Sequence, residues 1–89
     1  MNVEFELGNL KFEWDSEKAK INKQKHKVSF KLAARVFLDE NLLDDFDEIH
    51  SDNEDRFKII GKVKEMLTVI YTERGDRNRI ISARYATKR

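Results

Sequence analysis

The sequence predicts an α+β domain in the order ββααββββ, an antiparallel β-sheet with two N-terminal helices packed on one face. Three observations carry this reading. Apolar residues alternate at period two on either side of Gly8-Asn9. They change to a spacing of three and four between Phe30 and Phe37, and return to alternation from Arg56 onward. All of this lies within 89 residues, the length of one domain with one modest core.

The elements follow in order. Val3, Phe5 and Leu7 alternate, Gly8-Asn9 turns, and Leu10, Phe12 and Trp14 resume the alternation, so residues 1–14 read as a β-hairpin. Residues 15–40 hold the two helices. Asp15 or Ser16 caps the first, with Glu17 in its first turn and Lys23, Lys25 and Lys27 near its end at about His26, charges that suit the helix dipole. Its apolar content is thin, Ala19 and Ile21, which predicts an exposed helix packed along one narrow side. Ser29 caps the second, in which Phe30, Ala33, Ala34 and Phe37 share a face and Val36 and Leu38 widen the stripe, up to Asp39-Glu40. Residues 41–86 form the meander: a short acidic strand over Leu42–Asp47, a polar loop to Asp55, then strands over Arg56–Val63, Met66–Thr72 and Asn78–Tyr85. In the last strand, strict alternation puts Ile81, Ala83 and Tyr85 on one face and Ile80, Ser82 and Arg84 on the other. Short connections predict antiparallel neighbours. Trp14, Phe30, Phe37 and Phe57 are the expected aromatic core.

Composition excludes several function classes. No Cys is present, which removes disulfides, thiolate metal sites and Cys nucleophiles. No apolar run approaches a membrane span and no signal peptide opens the chain, so a cytoplasmic protein without membrane attachment is expected. There is no G-x-S-x-G, no phosphate-binding glycine loop and no calcium-loop pattern in the acidic segment. The net charge of +1 conceals a division: residues 1–55 carry −6 and residues 56–89 carry +7. Residues 39–55 hold nine Asp or Glu and no Lys or Arg, whereas 74–89 hold six bases against Asp76. Such a chain offers a basic surface for phosphates, and an acidic one for a basic protein or for water.

The stretch His50-Ser51-Asp52-Asn53-Glu54-Asp55-Arg56 brings an imidazole, carboxylates and a guanidinium together just before a strand. Arg74, Arg79 and Arg84 follow on neighbouring strands and converge if those strands pair. RNA cleavage without a metal needs these groups: a base for the ribose 2′-OH, cations for the charge on the pentavalent transition state, and an acid for the leaving 5′ oxygen. Arginine does not deprotonate, so Arg56, Arg74 and Arg79 would act on phosphate charge while His50 and Glu54 handle protons. Two other readings stay open: a nucleic-acid-binding module using the basic C-terminal strands without cleavage, and a protein-interaction domain using acidic residues 39–55.

Phe12-Glu13-Trp14-Asp15 with Lys18-Ala19 and Asn22, Lys25-His26-Lys27-Val28-Ser29-Phe30 with Ala33-Ala34 and Val36-Phe37, His50-x-x-x-Glu54-x-Arg56-Phe57 with Ile60-Gly61, and Thr72-Glu73-Arg74-Gly75-Asp76 leading to Arg79-Ile80-Ile81-Ser82-Ala83-Arg84 form an ordered set. In this set the chain resembles the BrnT-type ribonuclease toxins of type II toxin–antitoxin systems, over roughly residues 12–86. The resemblance implies a RelE-like fold and an endoribonuclease that stops translation without a metal or cofactor. It also implies a BrnA-type antitoxin with a ribbon-helix-helix part, through which alone operator DNA is contacted. Among the residues it carries over, His50, Glu54, Arg56, Arg74 and Arg79 stand as catalytic candidates. Arg84, Lys25 and His26 stand as RNA-binding candidates; Lys25 and His26 serve equally well to close the first helix. Two differences from the family are visible. Lys27 stands where it usually has Gly, and members continue past the equivalent of Ala86 into a basic helix that these 89 residues do not contain.

Overall fold

A computed structural model describes residues 1–46 and 54–86 of the chain. Strands β1 (Asn2–Leu7) and β2 (Leu10–Asp15) form the expected hairpin, with Leu7 opposite Leu10 and Gly8-Asn9 as its two-residue turn. Helix α1 (Ser16–His26) follows directly, and Asp15 caps it by accepting a hydrogen bond from the Lys18 N–H at 3.1 Å. Helix α2 (Phe30–Ala34) is capped by Ser29, whose Oγ accepts from the Leu32 N–H at 3.1 Å. Strands β3 (Leu43–Phe46), β4 (Phe57–Val63), β5 (Glu65–Arg74) and β6 (Arg77–Tyr85) complete the fold. Among the described residues no helix is long and apolar enough to cross a membrane.

The six strands form one sheet in the order β1-β2-β6-β5-β4-β3. It is mixed, which corrects the antiparallel expectation: β2 and β6 run parallel, with Phe12 opposite Asn78 and Glu13 opposite Arg79. A short connection forces antiparallel pairing only on consecutive strands. β2 and β6 are joined by the rest of the chain, so the packing of hairpin against meander sets their sense.

One sheet face carries the core. Phe12 and Trp14 from β2, Ile80 and Ala83 from β6, Leu67, Val69 and Tyr71 from β5, and Ile59 from β4 meet Val28, Phe30, Ala33, Ala34 and Val36 from the helical layer. Phe37 wedges edge-on between Phe12 and Tyr71, with ring centroids 5.0 and 4.9 Å away, and Phe30 packs edge-on against Trp14 at 5.8 Å. Phe37 and Phe57 are half-buried and packed against this core.

Three details depart from the sequence expectation. The second helix is only five residues of α-helix and then tightens into a 3-10 turn over Arg35–Leu38. That turn seats Val36 over Gly61, where an added Cβ would come within 2.8 Å of Val36 Cγ1, and leaves Leu38 52% exposed rather than in the apolar stripe. In α1 the buried side chain is Asn22, while Ile21 is 58% exposed. In β6 an extra residue interrupts the alternation: Ser82 faces Ile70 and Ile80 faces Tyr71, so Ile81 is a bulge. Ile80, not Ile81, therefore shares the core side with Ala83.

Candidate nucleic-acid site on the open sheet face

The bulge decides which side chains reach the sheet face away from the helices. Ser82 and Arg84 lie there by alternation, and without the bulge Arg79 and Arg77 would turn toward the core. With it, Arg79 stands opposite Thr72 and Arg77 opposite Arg74, on the face away from the helices.

At the rim of this face Glu54 lies between two guanidinium groups. Its Oε1 is 3.3 Å from Arg74 Nη2, and its Oε2 is 3.7 Å from Arg56 Nε. The segment bearing Glu54 is pinned to β5 by a 2.6 Å hydrogen bond from Thr72 Oγ1 to the Asp55 carbonyl. A cleft of about 190 Å³ opens beside it, lined by Glu54, Asp55, Phe57, Thr72 and Glu73. These side chains are partly exposed, and ion pairs of that kind add little to stability. The arrangement is suited to meeting an anion, with one carboxylate and two forked donors on a single rim.

Arg79 is held differently. Its Nη1 donates at 2.8 Å both to Glu13 Oε2 on β2 and to Asn2 Oδ1 on β1. Arg77 is tied to the same hairpin, donating from Nη1 to the Phe12 carbonyl at 3.1 Å with Glu4 3.4 Å from its Nη2. The structure thus gathers Glu54, Arg56, Arg74 and Arg79 toward one end of the open face. Arg84 stands apart, opposite Thr68, about 13 Å along β5 from Thr72 by the strand rise. Lys25 and His26 end α1, whose Asn22 is bonded to the Ala83 main chain, away from the Glu54 rim. His50 lies outside the described residues.

Sequence reading missed Glu13, Asn2 and Arg77 as site-building residues. The available signal was a carboxylate set between Phe12 and Trp14, facing opposite to both; its partner is 66 positions away. Tyr71, across the sheet on the core side, is pushed up to about 12 by burial and then by the charges of Asp44 and Glu73. It keeps its proton at neutral pH.

The comparisons with known proteins bear on the family and the fold. The family model described as ribonuclease toxin, BrnT, of type II toxin-antitoxin system matches residues 14–89. The fold is similar to the 1.1 Å crystal structure of the Brucella abortus ribonuclease toxin, BrnT, with a TM-score of 0.64 and 25% identity over 84% of this chain and 94% of that chain. No curated protein sequence matches the chain. With a family model spanning most of its length and a similar overall fold, the chain belongs to the BrnT family of ribonuclease toxins of type II toxin–antitoxin systems.

Proposed function

We propose that the chain is a metal-independent endoribonuclease that cuts RNA through attack of the ribose 2′-OH on the adjacent phosphate. The observation that carries this reading is the Glu54 carboxylate set between Arg56 and Arg74 at the rim of the sheet face away from the helices. In this scheme the 2′ oxygen bonds to phosphorus, the bond to the 5′ oxygen breaks, and the products are a 2′,3′-cyclic phosphate and a 5′-hydroxyl. Glu54 and His50 share the two proton transfers, one removing the 2′ proton and the other supplying the 5′ oxygen. Arg56, Arg74 and Arg79 carry no proton in the reaction; they hold and neutralise the phosphate. Deoxyribose lacks the nucleophile, so DNA is spared. Arg84 meets a more distant phosphate, and Lys25 and His26 stand as further RNA contacts.

In the cell this cleavage stops translation. A BrnA-type antitoxin with a ribbon-helix-helix part neutralises it and brings the complex to operator DNA. Family membership supports these assignments. The test is incubation of purified chain with end-labelled RNA in excess EDTA, beside Glu54→Ala and Arg74→Ala variants, with analysis of fragment ends. Cleavage by the wild type alone, leaving cyclic phosphate ends, is the expected result. Binding that weakens with salt but yields no fragments would instead mark a non-catalytic binding module.

A further inference from the structure

We infer that Glu13 is a positioning residue for RNA cleavage, which fixes the guanidinium of Arg79 before substrate arrives. The inference rests on the reading of Arg79 as a phosphate-binding group. Glu13 is only 8% exposed, although it lies on the face that the helices leave open. Its carboxylate accepts from Arg79 Nη1 at 2.8 Å, and the Asn2 amide oxygen accepts from the same nitrogen at 2.8 Å. An Nη nitrogen carries two hydrogens, so these two acceptors use both. The Nη2 edge and the Nε–H then remain to donate elsewhere, and the Arg79 side chain keeps 20% of its surface exposed.

Stability alone does not account for the pair. A largely desolvated carboxylate and guanidinium contribute little net stability compared with apolar side chains of the same volume. The pair does remove rotational freedom from a long side chain in advance, which is what a group that must meet a transition state requires. Arg74 is the contrast: its side chain is 56% exposed and has one carboxylate contact at 3.3 Å. One arginine of the site is preset by the β2–β6 seam, and the other is left to adjust.

The experiment compares wild type, Glu13→Gln, Arg79→Ala and the double variant. It reads single-turnover cleavage of an RNA oligonucleotide, affinity for the same oligonucleotide with 2′-O-methyl riboses, and thermal melting. Arg79→Ala should slow cleavage by on the order of 100-fold. Glu13→Gln should slow it by on the order of 10- to 100-fold while changing analogue affinity much less. The double variant should be no slower than Arg79→Ala, because Glu13 acts through Arg79. Full-speed cleavage by Glu13→Gln, or losses that multiply in the double variant, would overturn the inference. If Arg79→Ala itself cleaves at the wild-type rate, the phosphate-binding reading of Arg79 is what fails, and the positioning role goes with it. Should Glu13→Gln not fold, Glu13→Asp keeps the charge but shortens its reach; slowed cleavage with unchanged analogue affinity supports the inference, and wild-type speed overturns it.

Discussion

Lys27 closes α1 in the left-handed region, at φ 63° and ψ 25°, with its N–H bonded to the Lys23 carbonyl at 2.9 Å. Helices usually end this way on glycine, and a Cβ at such a position is strained by about 1 kcal/mol. Lys27→Gly should therefore raise stability by up to about 1 kcal/mol in urea unfolding, less whatever the freer glycine returns to the unfolded state. Asn22 is a second residue whose role is settled by geometry. Its amide donates to the Ala83 carbonyl at 2.8 Å and the Val28 carbonyl at 3.1 Å, while its oxygen accepts from the Ala83 N–H at 3.2 Å. It thereby occupies the edge of β6 that β2 has left on turning into α1. Asn22→Leu strands those main-chain groups in the interior and should destabilise the fold by about 3 kcal/mol, measured by the same unfolding curve. Lys27 was legible in the sequence as a non-glycine at a helix end. Asn22 was not, because its main partner is 61 positions away.

At the scale of elements, the joint between the 3-10 turn and β4 is built on Asp39. Its carboxylate accepts from the Asn41 N–H at 3.0 Å and from the Lys62 N–H at 2.8 Å, and these bonds hold its pKa below the usual carboxylate value. A depressed folded-state pKa gives stability that is present above the unfolded value and lost as pH falls through the folded one. Acid unfolding between about pH 5 and 2 should accordingly be shallower in Asp39→Asn than in wild type, followed by circular dichroism. Tyr71 sets the alkaline limit with the opposite sign. Its folded pKa is raised from 10.0 to about 12, so the unfolded chain releases the phenolic proton first. Stability is intact below about pH 10 and falls as pH rises toward 12, by about 2 kcal/mol in total once solvent screening is allowed for. Tyr71→Phe should be free of that loss in unfolding curves taken at pH 9 and pH 12. The cap at Ser29 and the Gly8-Asn9 hairpin were readable, and the first cap was narrowed to Asp15 or Ser16, because each is local, a side chain bonding two or three residues ahead or a turn closing on itself. The 3-10 turn was not. Its tightening follows from the space above Gly61, where Val36, Asp39 and Leu42 all approach.

Over the whole molecule, the division of charge along the sequence becomes a division within one face. Arg74, Arg77 and Arg79 are balanced by Glu54, Glu4 and Glu13, whereas Lys58 and Arg84 carry no ion pair among the described residues. The balanced arginines are oriented; on the proposed RNA-cleaving reading, the other two offer plain charge to passing phosphates. Replacing Lys58 and Arg84 by Gln should weaken binding of single-stranded RNA and lower its log–log salt slope by about 0.7 for each phosphate no longer neutralised. Fluorescence anisotropy between low and moderate salt measures this slope.

Neighbouring residues were enough to establish the order of the six strands and two helices, the hairpin, the Ser29 cap, the place of Trp14 and Phe30 in the core, and the family. Each of these is written locally, through periodicity, turn chemistry or an ordered set of short motifs. The parallel seam of β2 and β6, the bulge at Ile81, the Asn22 bracket and the Glu13–Arg79 pair emerged only in three dimensions. A period of two assigns side chains to faces but does not count an inserted bulge residue, and it carries no information on which distant strand will be a neighbour. Those choices follow from how the hairpin, the helices and the meander pack together, and they place Arg79 beside Glu13 on the face where Glu54 and Arg74 meet.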